Sequence, residues 1–434
     1  MRHAVERREI RAVGELAGSA GGGFARFIQD THEAIAGRPF KALGVAALPV
    51  RLIHDMAART AYRAVGSALA APPRTAAALA ARAASPVAAP MSRGLRGSMA
   101  LGALNGAIGD ALSRDASPLA LEMTIRRRGK AISTDPDALA AAYPDATRKL
   151  AVFVHGLCET DEAWHLLSAA RNADHRGSYG SRLRAELGYT PVYVRYNTGL
   201  HISDNGRRLS GLLQEVFDGW PRQVEEIALV GHSMGGLVAR SACHYRERDA
   251  AAWTRAVRHV FCLGSPHLGA PLEKGANLAG YALARLPETR AIARIVNGRS
   301  AGIKDLRFGS CAEEDWCDCD PDELLHDRCC DVPFLEGATY YFVGATLARD
   351  PGGLAAWLIG DLLVRFPSAS GRGRTRSLPF EIENGVHAAR LNHFQLLNHP
   401  AVYDQIRAWL ERPGARPQLP SAGRRLHASP QPHR

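Results

Sequence analysis

The middle of the chain alternates between short apolar runs and longer segments with a helical spacing of apolar residues. The runs lie at 150–154, 191–196, 227–230, 257–263 and 340–345. Compact runs of this kind are typical of parallel strands that are buried on both faces. Their alternation with helices predicts a doubly wound, mostly parallel α/β sheet, with ligands at the carboxyl ends of the strands. Upstream, residues 121–126 alternate between apolar and polar side chains, and Arg128-Gly129 predicts a turn into another short strand.

The first part of the chain has a different pattern. Up to about residue 117 it is rich in alanine and arginine and is interrupted by prolines, which predicts several short helices packed on the main domain. A membrane-surface helix is the alternative, but the polar and apolar faces at 51–56 are not sustained further along. We therefore predict a helical region at 1–118, a main domain at 119–411 and a basic, disordered tail at 412–434.

Composition and charge narrow the class of partner. Of the 434 residues, 46% are hydrophobic and 22% are charged, as in soluble globular proteins. The net charge is +11, but nearly all of the basic residues are arginines, and five of them lie in the tail, which has no acidic residue. No RNA- or DNA-binding motif accompanies them, so a nucleic-acid partner is not expected.

The location of the protein is predicted from two missing signals. The N-terminus has no long apolar core of the kind found in secretory signals, and no stretch is long and apolar enough to span a bilayer. We expect a cytoplasmic protein that is peripheral to a membrane at most, with the N-terminal helices as the surface that would contact lipid. The oligomeric state is left open.

The most informative motif follows the apolar run at 227–230. There Gly231-His232-Ser233-Met234-Gly235 leads into a segment of good helix formers. A strand, a Gly-x-Ser-x-Gly turn and a helix in this order are typical of a nucleophile elbow, in which the glycines let strand and helix pass closely. Ser233 is therefore the candidate nucleophile.

A second motif follows the run at 150–154. It reads His155-Gly156-Leu157, and the loop after this strand donates one oxyanion-hole N–H in hydrolases of such architecture. The N–H of Leu157 and that of Met234 are the two candidate donors for a developing oxyanion.

A serine nucleophile needs a base and an acid. The best candidate base is His393, since the order serine, acid, histidine suits this fold and His393 precedes a final helix. His399 precedes Pro400 at the predicted start of that helix, and His387 lies in an alternating segment, so both are interpreted as structural. Asp350 and Asp361 both follow the run at 340–345, and position alone leaves both open as the acid.

Taken together, the motifs resemble those of the α/β-hydrolase lipases, including bacterial triacylglycerol lipases and GPI-inositol deacylase-like proteins. The resemblance covers about 119–410 and rests on the segments 155–157, 231–236, 264–269, 360–364 and 392–394. It implies that Asp361 is the acid, with Leu362 where these families commonly have glycine. It also implies a carboxylesterase or lipase-type serine hydrolase that works through an acyl-enzyme without metal or cofactor. The alternatives are an acyltransferase or thioesterase with the same triad, or a binding protein that retains the fold without activity.

A long insertion at about 270–337 is expected to form a cap over the site. Its apolar residues either line an acyl site or pack as an ordinary helical excursion; they are Leu278, Tyr281, Leu283, Leu286, Ile292 and Ile295. The same insertion carries Cys311, Cys317, Cys319, Cys329 and Cys330, whose spacing lacks paired C-x-x-C. Free or partly oxidised thiols are therefore favoured over zinc. Cys158, beside Leu157, is interpreted as a buried thiol.

Overall fold

The computed structural model describes residues 2–43, 59, 63, 66, 67, 70, 71, 73–78, 94–166, 177–245, 252–287, 289–347, 361, 363–373 and 376–412. Several features of the sequence analysis lie outside these residues, namely the stripe at 51–56, Asp350, Leu362 and the tail beyond Arg412.

The strands form a single sheet. In chain order they are β1 (Thr124–Arg127), β2 (Lys130–Ile132), β3 (Lys149–Val154), β4 (Tyr189–Arg195), β5 (Glu226–His232), β6 (Val257–Leu263), β7 (Thr339–Thr346) and β8 (Gly385–Ala389). The order across the sheet is β2-β1-β4-β3-β5-β6-β7-β8. β1 runs antiparallel to β2 and β4, and all other neighbouring pairs are parallel. The predicted doubly wound, mostly parallel sheet is confirmed.

Helices cover and connect these strands. In chain order they are α1 (Arg2–Leu43), α2 (Leu95–Arg114), α3 (Pro136–Ala142), α4 (Tyr179–Leu187), α5 (Ile202–Gly219), α6 (Met234–His244), α7 (Pro271–Ala284), α8 (Arg290–Asn297), α9 (Ala301–Asp305), α10 (Phe366–Ala369) and α11 (Pro400–Leu410). Shorter 3₁₀ turns lie at Asp161–His165, Ala252–Ala256, Glu313–Asp315, Ile382–Asn384 and His393–Leu397.

The central strands are apolar throughout because both faces of the sheet are buried. In β3, Val152 and Val154 belong to the hydrophobic cluster on one face, whereas Phe153 belongs to the cluster on the other face. All three side chains are fully buried. Successive strand residues point to opposite faces, so a run without polar alternation is what a doubly covered strand requires.

Helix α2 packs against the loops that follow β3 and β4. A Cβ atom at Gly106 would lie 2.3 Å from Cys158 Sγ, and one at Gly109 would lie 1.9 Å from Asn197 Oδ1. The Asn197 side chain also donates a 2.8 Å hydrogen bond to the Gly109 carbonyl. The glycines thus allow the helix to approach the carboxyl edge of the sheet closely. The division of the chain after residue 118 stays a prediction.

A helix that crosses a membrane must be long and predominantly apolar. No helix in the part of the chain that the structure describes is long and apolar enough to cross a membrane. Contact between the N-terminal helices and a lipid surface remains a prediction.

Candidate active site

Ser233 occupies a strained turn between β5 and α6. Its backbone angles are φ 52° and ψ −121°, a left-handed φ that only a few per cent of non-glycine residues adopt. The Ser233 N–H donates to the Leu263 carbonyl at the end of β6, at 2.8 Å. Strain of this kind persists only where the surroundings hold it, and it is concentrated at functional sites.

The glycines around Ser233 are required by close backbone contacts. A Cβ atom at Gly231 would lie 2.4 Å from the Gly236 nitrogen, and one at Gly235 would lie 2.1 Å from the Val154 carbonyl oxygen. A Cβ at Gly156 would approach the Ser233 Cβ to 3.0 Å. These contacts bring the loop after β3 against the elbow, as the sequence motifs predict.

His393 and Asp361 form a buried pair. His393 Nδ1 lies 2.7 Å from Asp361 Oδ2, and both side chains are at most 3% exposed. Asp361 Oδ1 accepts the N–H groups of Leu363 and Val364, at 3.0 and 2.7 Å. The His393 N–H donates to the Asp361 carbonyl at 3.1 Å, so ring and backbone are both held. This geometry leaves Nε2 as the nitrogen that can accept a proton from a hydroxyl.

The structure places Ser233 and His393 at the same edge of the sheet without a direct hydrogen bond. Among the described residues, no such bond joins the Ser233 hydroxyl to the His393 ring. The neighbouring His232 does contact His393, with ring centroids 4.8 Å apart. Hydrogen bonds between a nucleophile and its base are often long before substrate binds.

The two rival histidines have other partners. His387 lies on β8, and its Nε2 is 2.8 Å from Thr346 Oγ1. His399 is the N-cap residue of α11, and its N–H donates to the Tyr179 hydroxyl at 2.8 Å. The helix predicted at 401–410, with Pro400 at its first position, is confirmed.

Two backbone donors remain available beside Ser233. In the loop after β3, the Gly156 N–H donates to Glu159 at 2.7 Å and the Cys158 N–H donates to Thr198 Oγ1 at 3.3 Å. By contrast, the N–H groups of Leu157 and Met234 have no hydrogen-bond partner within the described residues. Unpaired N–H groups on these two elements are what an oxyanion hole requires.

The part of the chain that contains the loop after β3 and the elbow is similar to a known protein family. Residues 151–283 match the model of the PGAP1-like alpha/beta domain. The match covers 133 of the 434 residues. The matched span includes Leu157 and Ser233, whereas Asp361 and His393 lie beyond it.

Solved structures of bacterial proteins resemble this chain at low sequence identity. The Bacillus licheniformis lipase BlEst2 in its mature form is 19% identical, with 60% of this chain and 91% of that chain covered and a TM-score of 0.38. EstA from Clostridium botulinum is 12% identical, with 61% and 87% covered and a TM-score of 0.37. No curated protein sequence matches the chain.

His155 braces the loop after β3. The ring is fully buried and stacks on Tyr196 with centroids 4.4 Å apart. Its Nε2 accepts the Tyr196 N–H at 3.3 Å, and its Nδ1 lies 3.0 Å from the Gly156 carbonyl. Burial lowers the pKa of His155 to about 4, so the ring is neutral and supports the loop.

A second buried histidine–carboxylate pair, which the sequence analysis missed, lies beside the first. His232 Nδ1 lies 3.0 Å from the Glu159 carboxylate, which also accepts the Gly156 N–H. His232 Nε2 lies 3.1 Å from the His393 carbonyl oxygen. The two residues are far apart in the chain, and the only sequence signal is a carboxylate shortly after the His155-Gly156 turn.

In the insertion at 270–337 the helices bury polar residues and expose apolar ones. Glu273 and Asn277 of α7 are buried, whereas most of the apolar residues predicted to line the cap are exposed, namely Leu278, Tyr281, Leu286, Ile292 and Ile295. Glu273 pairs with Arg299 at 2.8 Å and with Arg307 at 3.1 Å. These buried ion pairs turn the polar face of α7 inward, so ordinary apolar packing does not describe these five residues. Their role as the lining of an acyl site stays a prediction.

The cysteines are free thiols. Cys158 is exposed, so the interpretation as a buried thiol was wrong. It lies at the contact between the loop after β3 and α2, where its Sγ faces Gly106 and still keeps access to solvent. All five cysteines of the insertion are unpaired. Within the described residues, no group of three His, Cys, Asp or Glu side chains is placed to hold a metal ion.

Proposed function

We propose that this chain is a serine hydrolase of carboxylic esters, with Ser233 as nucleophile, His393 as base and Asp361 as the acid that orients it. The observation that carries the proposal is the buried 2.7 Å contact between His393 and Asp361, at the sheet edge where Ser233 occupies its strained turn. A histidine fixed by a buried carboxylate beside a serine elbow is the arrangement that activates a hydroxyl.

The mechanism has two halves. Ser233 Oγ attacks the ester carbonyl carbon while His393 Nε2 takes the hydroxyl proton, and the oxyanion accepts the N–H groups of Leu157 and Met234. The imidazolium then returns the proton to the leaving alcohol, which gives an acyl-serine. Water attacks the acyl-serine with His393 again as base, and the free acid is released.

A lipophilic acyl group is the second part of the proposal. Phe394 follows the base directly, is 53% exposed and lies 5.9 Å from the His393 ring, centroid to centroid. Leu347, just beyond the end of β7, is 42% exposed. Exposed apolar side chains at the carboxyl edge of the sheet offer a surface for an acyl chain.

Labelling with a fluorophosphonate probe tests the nucleophile. We expect the wild type to be labelled at Ser233, mapped by mass spectrometry, and the Ser233→Ala variant to be unlabelled. Ser241→Ala is the matched control, because Ser241 is a buried serine of α6. Its hydroxyl donates a hydrogen bond to the Cys311 carbonyl oxygen and is therefore engaged inside the protein. Labelling at another serine, or none in folded wild type, would contradict the proposal.

A series of p-nitrophenyl esters from acetyl to lauroyl tests the acyl group. We expect kcat/KM to rise with chain length, since each buried methylene contributes about 0.8 kcal/mol of transfer free energy. A flat profile would leave ester hydrolysis intact and remove the lipophilic acyl group. When an alcohol is added, release of the free acid alone indicates hydrolysis, whereas formation of a new ester indicates acyl transfer.

A further inference from the structure

The buried pair of His232 and Glu159 makes contacts that fix its protonation state. His232 Nδ1 faces the Glu159 carboxylate at 3.0 Å, and Nε2 faces the His393 carbonyl oxygen at 3.1 Å. An ionised carboxylate and a carbonyl oxygen both accept hydrogen bonds and donate none. Each ring nitrogen must therefore carry a proton for both bonds to form, which makes His232 an imidazolium.

The surrounding charges agree with this state. Burial disfavours a charged His232, yet the Glu159 carboxylate, the His393 carbonyl and the more distant Asp361 together raise the pKa of His232. Burial likewise disfavours a charged Glu159, but His232 and the Gly156 N–H lower the pKa of that carboxyl. The edge of the Trp164 ring completes the surroundings of His232, with centroids 6.3 Å apart.

The pair joins three separate parts of the site. Glu159 holds the Gly156 N–H at 2.7 Å, and the next residue, Leu157, carries a candidate oxyanion donor. His232 precedes Ser233 directly in the chain. The His393 backbone is held on both sides, since its N–H donates to Asp361 and its carbonyl accepts from His232.

We propose that His232 and Glu159 are positioning residues, which as an imidazolium–carboxylate pair hold the oxyanion loop and the His393 backbone in register with Ser233. Neither residue contacts the reacting atoms. This inference rests on the proposed serine hydrolase function, because the three parts that it aligns are the parts of that mechanism. Loss of the His232 proton removes one of the two hydrogen bonds of the ring and releases either Glu159 or His393.

The chain offers a matched control pair. His259 of β6 lies 3.4 Å from Glu226 of β5, and its side chain is 4% exposed. Both control residues lie near the amino ends of their strands, at the edge of the sheet opposite to Ser233. His259→Gln therefore breaks a partly buried histidine–carboxylate contact without touching the site.

Steady-state kinetics on p-nitrophenyl butyrate test the positioning role. We expect His232→Gln and Glu159→Gln each to lower kcat by about 10- to 100-fold and to change KM by less than about threefold, because misplaced groups cost rate more than binding. The double variant is expected to lose no more than the more impaired single variant, since the two residues act as a unit. His259→Gln is expected to keep kcat. A kcat for His232→Gln equal to that for His259→Gln would overturn the positioning role.

The pH profile tests the imidazolium. The folded-state pKa of His232 is raised. The imidazolium–carboxylate pair is therefore intact below that pKa and is lost as pH rises through it. We expect an alkaline fall in kcat that moves to lower pH in Glu159→Gln, because the carboxylate that stabilises the proton is gone. An alkaline limb that does not move in Glu159→Gln would overturn the inference.

Two measurements without substrate separate this inference from the proposed function. We expect ¹⁵N spectra at neutral pH to show both ring nitrogens of His232 protonated in the wild type and only one in Glu159→Gln. Amide exchange at Gly156 and His393 is expected to be faster in His232→Gln than in His259→Gln. If the wild type neither hydrolyses esters nor reacts with the fluorophosphonate, the proposed function is wrong. If the His232 ring is neutral, or amide exchange at Gly156 and His393 is unchanged in His232→Gln, the positioning role of His232 and Glu159 is wrong.

Discussion

Asp361 uses both of its carboxylate oxygens inside the protein. Oδ2 faces His393 Nδ1, and Oδ1 accepts two consecutive N–H groups, those of Leu363 and Val364. A carboxylate that is fully hydrogen-bonded and 1% exposed cannot rotate without breaking one of these contacts. It therefore fixes the tautomer of His393, with the proton on Nδ1 and the lone pair on Nε2.

Substitution of Asp361 and of Asp350 tests which of the two is the catalytic acid. We expect Asp361→Asn to lower kcat by about 10³- to 10⁴-fold, because an amide cannot hold His393 in the useful tautomer and stabilise its charged form. The measurement is ester hydrolysis after the variant's thermal unfolding has shown that it is folded. Asp350→Asn serves as the comparison and should keep wild-type turnover. The reverse result would make Asp350 the acid.

Which individual residues meet was only partly predictable. Ser233 and the motif His155-Gly156-Leu157 could be identified from local spacing, because each motif is encoded within a few consecutive residues. Asp350 and Asp361 could not be separated by position, since both follow the same strand, and a family resemblance was needed to choose. Glu159 was missed because its contact with His232 is made by strand order, which local spacing does not encode.

At the scale of elements, α2 is shaped to fit the loops beneath it. Gly102, Gly106 and Gly109 lie on one face of the helix and meet residues 158–160 and Asn197. The Ser98 and Thr160 hydroxyls add a 3.0 Å hydrogen bond at the same contact. This helix therefore stabilises the loop that carries Leu157, although it lies in the region whose role the sequence did not reveal.

Two glycine-to-alanine substitutions test that fit. At Gly106 a Cβ would lie 2.3 Å from Cys158 Sγ and 3.0 Å from its backbone, so we expect Gly106→Ala to destabilise the fold by about 1–3 kcal/mol through overpacking. Gly211 lies in α5 with open space around it, and Gly211→Ala should stabilise the helix by about 0.5–1 kcal/mol. Denaturant unfolding gives both values. Equal effects of the two substitutions would show that α2 does not press on the loop.

The elements that could be predicted are those whose burial follows from local pattern. β6 has the predicted bounds because both of its faces are covered, so that its apolar run is continuous. β8 is only partly buried and carries no such run, and it was not among the predicted parallel strands. In α7 the apolar positions face solvent because Glu273 is drawn inward by Arg299 and Arg307, which come from later segments.

In the molecule as a whole, the region before residue 119 packs against the part of the chain that follows it at several points. Leu101 and Leu112 of α2 share a small buried cluster with Leu119 and with Ala12 of α1. Asp30 of α1 forms a 2.6 Å ion pair with Arg294 of α8. The ion pair is partly exposed and contributes at most about 1 kcal/mol, so the apolar cluster and the α2 contacts dominate.

Shortening the chain at two positions separates the roles of α1 and α2. A chain beginning at Gly94 keeps α2 and its contacts with 158–160. We expect it to fold and to retain esterase activity within about threefold, because those contacts are made by α2 and not by α1. A chain beginning at Leu119 loses α2, exposes the underside of the loop and removes the helix that Cys158 and Asn197 pack against. We expect it to unfold at lower denaturant and to lose activity even where it stays folded. Full activity in the shorter chain would instead confirm an independent domain that begins at residue 119, and the α2 contacts would then have no part in catalysis.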